Sequence, residues 1–217
     1  MLLFAGSSNA VSGEFVKLKL VRNAVVEAYV HLDAEAFDAN KVLLALPPGA
    51  QNRGSVSLGL APWIDELEAT GWTVISPVAP SGRRFMGRNL GLVPHVLRAV
   101  KREYDVQFEK VSLFGISNGG IGALELAVHF TELFRSVTVA PGMLIVKDGI
   151  ASLGSLPLTL VVGQNDALWL SEAKKLDQLL TARDQPARHE LVVIPNAGHA
   201  AFESLTLEFL VKRLLRE

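Results

Sequence analysis

The chain of 217 residues contains no cysteine. That excludes disulfide scaffolds, zinc ribbons, thiol nucleophiles and CxxC redox motifs at once. Charge of one sign is also lacking: 21 Lys and Arg stand against 22 Asp and Glu, a net charge of −1. There is no global field for a nucleic acid or an anionic membrane to answer. No apolar run approaches the roughly 20 residues that span a bilayer. Met1–Ala5 is oily, but it carries no basic flank and is too short for a secretory core. Internal repeats, low-complexity tracts and Pro/Gly/Ser-rich linkers are missing as well. What remains is a chain that is 49% apolar. It is too oily for disorder and long enough to bury roughly 70–75% of its extended surface. The expectation is a soluble, cytoplasmic protein of one domain over residues 14–217, behind a loose tail of residues 1–13. It should have no nucleic-acid partner and no membrane span.

Two strand-like runs open the domain, Glu14–Val21 and Ala24–Leu32, joined at Arg22–Asn23 and expected to form a hairpin. Lys17, Lys19 and Glu27 alternate with apolar residues, which suits a sheet edge with one wet face. The pattern then changes to short, nearly continuous apolar runs at Lys41–Leu46, Thr73–Val78, Lys110–Phe114, Ser136–Ala140, Leu156–Val162 and Glu190–Ile194. Strands buried on both faces read this way. Helical patterns fall between them, at Pro62–Thr70 (stopped by Gly71), Gly91–Tyr104, Asn118–Phe130, Ser171–Arg183 and Phe202–Leu215. An antiparallel start followed by β-α alternation predicts an α/β protein with a mostly parallel sheet and helices on both faces. Ligands in such sheets bind beyond the carboxyl ends of the strands. The loops that follow strands are therefore where chemistry is to be sought.

One of these loops, Gly115-Ile116-Ser117-Asn118-Gly119, matches G-x-S-x-G and lies between a strand and a helix. A serine on so tight a turn needs small neighbours two residues to either side, and Gly115 and Gly119 supply the room. A serine hydroxyl is a poor nucleophile until a base takes its proton. Of the five histidines, His199 alone sits in a loop after a strand, in Pro195-Asn196-Ala197-Gly198-His199, flanked by the small residues Gly198 and Ala200. A carboxylate is needed to orient the imidazole. Asp166 follows a strand in the short turn Gly163-Gln164-Asn165-Asp166, and Asp148, in the preceding loop, ranks behind it. The competing readings are an N-cap serine, a polar loop histidine and a turn aspartate. The order Ser117, Asp166, His199 is that of nucleophile-elbow hydrolases.

With these residues in hand, the chain resembles the α/β-hydrolase superfamily. Within it, the chain is similar to the compact, lidless carboxylesterases of the phospholipase/carboxylesterase and depolymerase/feruloyl-esterase-like groups. The stretches that carry the likeness are KVSLFGISNGGIGALELA, SVTVAPG, LPLTLVVGQNDALWLSEAKKL and IPNAGHAAF, and it extends from about residue 14 to the end. The resemblance implies Ser117 as nucleophile, Asp166 as acid and His199 as base. It also implies no cofactor and no metal. The expected activity is hydrolysis of a small-molecule ester or thioester; the alternatives are a non-catalytic small-molecule binding protein on the same fold, and an acyltransferase or amidase using the same three residues. A departure lies in the loop after the third strand. Such families carry His-Gly there, whereas this chain has Leu46-Pro47-Pro48-Gly49-Ala50-Gln51. Proline has no N–H, so the oxyanion donors are expected at the amides of Asn118 and Ala50, with Gln51 a near alternative.

Only about 15 residues separate the strand ending at Ala140 from Leu156. That gap cannot hold a cap domain, so the site should be shallow and open. Gln51, Met143 and Trp169 are the expected substrate contacts, with Leu144, Ile145, Leu168, Phe85 and Met86 nearby. Trp169 reads equally well as the first core residue of its helix. Arg83, Arg84 and Arg88 crowd another loop on the same edge. They suit either a substrate anion or, the preferred reading, a solvated loop with salt bridges to nearby carboxylates.

Overall fold

The computed structural model describes residues 13–80, 83–145, 149–182 and 188–215. Residues 1–12 of the expected tail, and Asp148, lie outside them. The N-terminal runs pair as an antiparallel hairpin, β1 (Glu14–Lys19) and β2 (Val25–His31), with Glu14 opposite Val30 and Lys19 opposite Val25. The apolar runs become β3 (Val42–Leu46), β4 (Thr73–Pro77), β5 (Val111–Gly115), β6 (Phe134–Val139), β7 (Leu158–Gly163) and β8 (His189–Ile194). All eight share one sheet in the order β1-β2-β4-β3-β5-β6-β7-β8. β2 runs antiparallel to β4, and the pairings from β4 through β8 are parallel.

The period-two alternation of each strand feeds two cores. Leu44, Leu46, Leu113, Val137, Val139, Leu158 and Leu160 face one side. There they meet α3 (Val93–Glu103), α4 (Asn118–His129), α5 (Ile150–Leu153) and α6 (Ala167–Thr181). Leu43, Ala45, Val74, Phe114 and Val161 face the other side, against α1 (Arg53–Leu60), α2 (Ile64–Ala69) and α7 (Leu207–Leu214). Residues on the central strands β3, β4 and β5 are fully buried. This is the doubly covered parallel sheet that their unbroken apolar runs imply.

Three expectations need correction. β8 is an edge strand with its residues only partly buried, because among the described residues β7 is its one sheet neighbour. The stretch after β3, where the sequence suggests no helix before Pro62, turns helical at Arg53. The Asn52 side chain accepts from the Ser55 N–H at 2.9 Å there, but only Val56, Gly59 and Leu60 point inward, too few to advertise a helix. The expected helix Phe202–Leu215 is broken in two. A 3-10 turn covers Ala201–Ser204, then Thr206 caps α7 by accepting from the Phe209 N–H at 3.1 Å.

Trp63 joins the end of β5 to the segment that follows His199. Its ring packs edge-on against Phe114 and Phe202, and its indole N–H donates to the Leu205 carbonyl at 2.9 Å. Trp63→Phe keeps most of the packing but orphans that buried carbonyl. It is expected to cost about 1–3 kcal/mol, read as a fall of several degrees in the thermal unfolding midpoint.

Candidate active site

The chain leaves β5 at Gly115 and begins α4 at Asn118, so Ser117 must reverse direction almost alone. It does so at φ +55°, ψ −115°, a conformation that costs a non-glycine residue about 1–3 kcal/mol. Backbone hydrogen bonds hold the corner. The Ser117 N–H donates to Pro141 O at 2.9 Å, Ile116 N–H to Leu46 O at 3.2 Å and Gly119 N–H to Ile116 O at 2.8 Å. A Cβ on Gly119 would lie 2.1 Å from Leu46 O, so only glycine lets α4 start this close to β3. Although Ser117 occupies the N-cap position, its side chain makes no capping bond. The hydroxyl is left for another partner.

That partner is His199, whose Nε2 lies 2.9 Å from Ser117 Oγ, while its Nδ1 lies 2.7 Å from Asp166 Oδ2. An ionised carboxylate can only accept, so Nδ1 carries the proton and donates to Asp166. Nε2 is then free to accept from the serine hydroxyl. The Asp166 side chain is largely buried at 13% exposure, whereas His199 is 48% exposed. The relay thus runs from a shielded carboxylate to an imidazole open to solvent. The described residues between β6 and β7 contain only the short helix α5, which leaves the site open.

Two loops must meet for this pair to form, and they are laced together. Gln164 N–H donates to Ile194 O at 3.0 Å and Asn165 N–H to Ala197 O at 2.8 Å. The Asn165 side chain donates to Asn196 O at 3.1 Å, and Asn196 N–H donates to the Gln164 side chain at 3.1 Å. Gly163 closes the seam, since a Cβ there would lie 2.2 Å from Gly198 O and 2.4 Å from Ala197 O. Trp169, three residues beyond Asp166 on α6, is half-buried with its ring centroid 5.1 Å from that of His199. Its observed contact is the imidazole. None of these lacing residues stands out in the sequence, because polar loop residues carry no periodicity.

On the other flank, the Asn118 side chain donates to Gly49 O at 2.9 Å and ties the Pro47-Pro48 loop to the serine corner. Among the described residues, neither the Asn118 nor the Ala50 amide has a protein acceptor. Gln51 does not sit where the sequence suggested. Its N–H donates to Pro48 O at 3.2 Å, its side chain is fully buried, and its amide oxygen accepts from the Phe85 N–H at 2.6 Å. Its side chain is thus turned inward, onto the Phe85 backbone. Phe85 is likewise a core residue and no part of the site wall. Met143 is half-buried, and Leu168 is 63% exposed. Of the other histidines, His31 lies 3.5 Å from Glu68 and His189 3.1 Å from Asp177. Among the described residues, no group of three or more His, Asp or Glu could hold a metal ion, and no helix is long and apolar enough to cross a membrane.

No family model and no curated protein matches this sequence. Solved structures do. The chain is similar to a thermostable esterase (TM-score 0.73, 13% identity), covering 93% of this chain but only 62% of the esterase. It is also similar to poly(aspartic acid) hydrolase-1 from Sphingomonas sp. KT-1 (TM-score 0.71, 10% identity, 94% and 98% of the two chains). A third is an S-formylglutathione hydrolase from Agrobacterium tumefaciens (TM-score 0.69, 15% identity, 94% and 96%). The chain has the α/β-hydrolase fold.

Gly163→Ala forces the two laced loops apart. The variant is expected to lose about 1–3 kcal/mol of stability and, in proton NMR, the low-field imidazole signal of the His199–Asp166 hydrogen bond.

Proposed function

We propose that this protein is a serine hydrolase of carboxylic esters, thioesters included, working through an acyl-enzyme. The observation that carries this reading is the unbroken relay from Asp166 through His199 to Ser117, at 2.7 and 2.9 Å. It is joined to a strained corner that presents the hydroxyl rather than using it as a cap. The esterases and hydrolases among the similar structures support it at the level of fold.

In this reading Ser117 Oγ attacks the substrate carbonyl carbon as His199 Nε2 takes its proton. Asp166 stabilises the imidazolium through the Nδ1–H hydrogen bond. The carbonyl oxygen becomes an oxyanion and accepts from the backbone N–H groups of Asn118 and Ala50, which are directed by the start of α4 and by the turn after Pro48. The tetrahedral intermediate collapses, His199 gives the proton to the leaving alcohol or thiol, and an acyl group remains on Ser117. Water, deprotonated by His199, then repeats the sequence and releases the acid. The two prolines narrow the choice of donors, because neither Pro47 nor Pro48 has an N–H. Each donor in such a hole is worth roughly 2.7–4 kcal/mol of barrier. The Asn118 side chain on Gly49 O steadies the loop that carries the second donor. With the imidazole almost half exposed, the site suits a small ester or one presented at a surface. Met143, half-buried in the loop after β6, and Trp169 against the imidazole are the side chains we assign to the acyl group's surroundings. No cofactor enters any step.

Turnover of a short p-nitrophenyl ester tests this. Ser117→Ala is expected to lower kcat by more than about 10⁴-fold and Asp166→Asn by about 10³–10⁴-fold, with thermal midpoints close to wild type. Wild-type turnover in Ser117→Ala would refute the reading.

A further inference from the structure

Arg83, Arg84 and Arg88 form a hollow of about 320 Å3 together with Met86 and Asn89. All three arginines are exposed, and none forms a salt bridge with a carboxylate among the described residues. The ion-paired loop that the sequence favoured is therefore not what the structure contains. The chain as a whole has a net charge of −1, so three unpaired guanidiniums within six residues are a local concentration of positive potential. Glu125 of α4 is buried against the loop, and its carboxylate accepts from the Gly87 N–H at 3.5 Å.

The loop is held, and it is held against α4, the helix that Ser117 opens. Phe85 N–H donates to the buried Gln51 side chain, which ties it to the segment bearing Ala50. The Asn89 side chain donates to the carbonyls of Arg83 and Arg84 at 3.3 and 3.1 Å, closing the turn on itself. The Phe85 carbonyl rests on α4 at Gly122, where a Cβ would lie only 2.4 Å from it. Gly122 is five residues past Ser117, about 7.5 Å along the helix axis, and an extended arginine side chain covers a comparable distance.

We propose that this hollow is an anion subsite of the same active edge, and that the preferred substrate is an ester or thioester carrying a carboxylate or a phosphate. Arginine suits that task because its planar fork pairs with both oxygens of such a group. The anion would dock on the arginines while the ester carbonyl reaches Ser117. The proposal rests on the hydrolase reading and adds the substrate's charge to it.

Two matched pairs of substrates test it and separate the two anions. p-Nitrophenyl monoglutarate against p-nitrophenyl valerate places a carboxylate on the acyl part. Butyryl-coenzyme A against butyryl-N-acetylcysteamine places phosphates on the leaving group. In at least one pair the charged member is expected to have the higher kcat/KM, by about tenfold or more. The preference should fall toward unity in the triple variant Arg83→Gln, Arg84→Gln, Arg88→Gln, with the neutral member turned over at the wild-type rate, and should weaken as salt is raised. The pair that shows the preference identifies the anion. Turnover of neutral esters with no preference in either pair, or a preference that survives the triple variant, overturns the subsite and leaves the hydrolase reading intact. Absence of turnover of all four compounds overturns the hydrolase reading itself, and the subsite with it.

Discussion

Everything proposed for this molecule depends on the contact between two loops that leave neighbouring parallel strands, the turn after β7 and the loop after β8. Asp166 and His199 are 33 residues apart in sequence, and their hydrogen bond of 2.7 Å exists only because the two backbones touch at Gly163. Backbone and amide side-chain bonds on either side of that contact make the seam over-determined. A hydrogen bond between a half-exposed imidazole and a carboxylate would otherwise compete with water. Lacing the loops places the ordering cost on the scaffold, so the imidazole is already oriented when a substrate arrives.

The same logic governs the serine corner. Its strained backbone persists because β3, the turn after β6 and α4 each contribute a carbonyl or an amide that would be left unpaired if the corner relaxed. The corner also opens a helix whose first amide, that of Asn118, has no protein acceptor among the described residues. The strain, the unused capping hydroxyl and the free Asn118 N–H are thus consequences of a single geometric demand, a strand-to-helix reversal within two residues. The neighbouring loops inherit their positions from it. Gly49 is tied to the Asn118 side chain, and the arginine loop leans on Gly122 one and a half turns further along.

Much of this was legible in the sequence, and the limits have physical causes. Buried central strands read clearly because both faces are covered, so β3 to β7 lie within a few residues of their expected positions. β8 looked identical to them, since Leu191, Val192 and Val193 do not reveal how many neighbours a strand has. α1 was hidden because Gly54, Ser55, Ser57 and Gly59 dilute its apolar face, and its start is signalled only by the Asn52 cap. Ser117, His199 and Asp166 could be picked out by residue type and loop position. The lacing by Gln164, Asn165 and Asn196 could not be seen, because it arises from pairing two loops remote in sequence. Gln51 was misjudged for a related reason: a polar residue beside an expected donor looks like a ligand contact, yet its side chain turns inward to bond the Phe85 backbone.

On this reading Ser117 is an activated nucleophile. The most direct measurement is intact-mass and peptide analysis after treatment with a small fluorophosphonate, in the wild-type protein and in His199→Ala. A single stoichiometric adduct on the peptide bearing Ser117 is expected in the wild type, formed at least about 10³-fold more slowly once the imidazole is gone. A wild-type protein that stays unmodified, or one modified equally fast without His199, would contradict it.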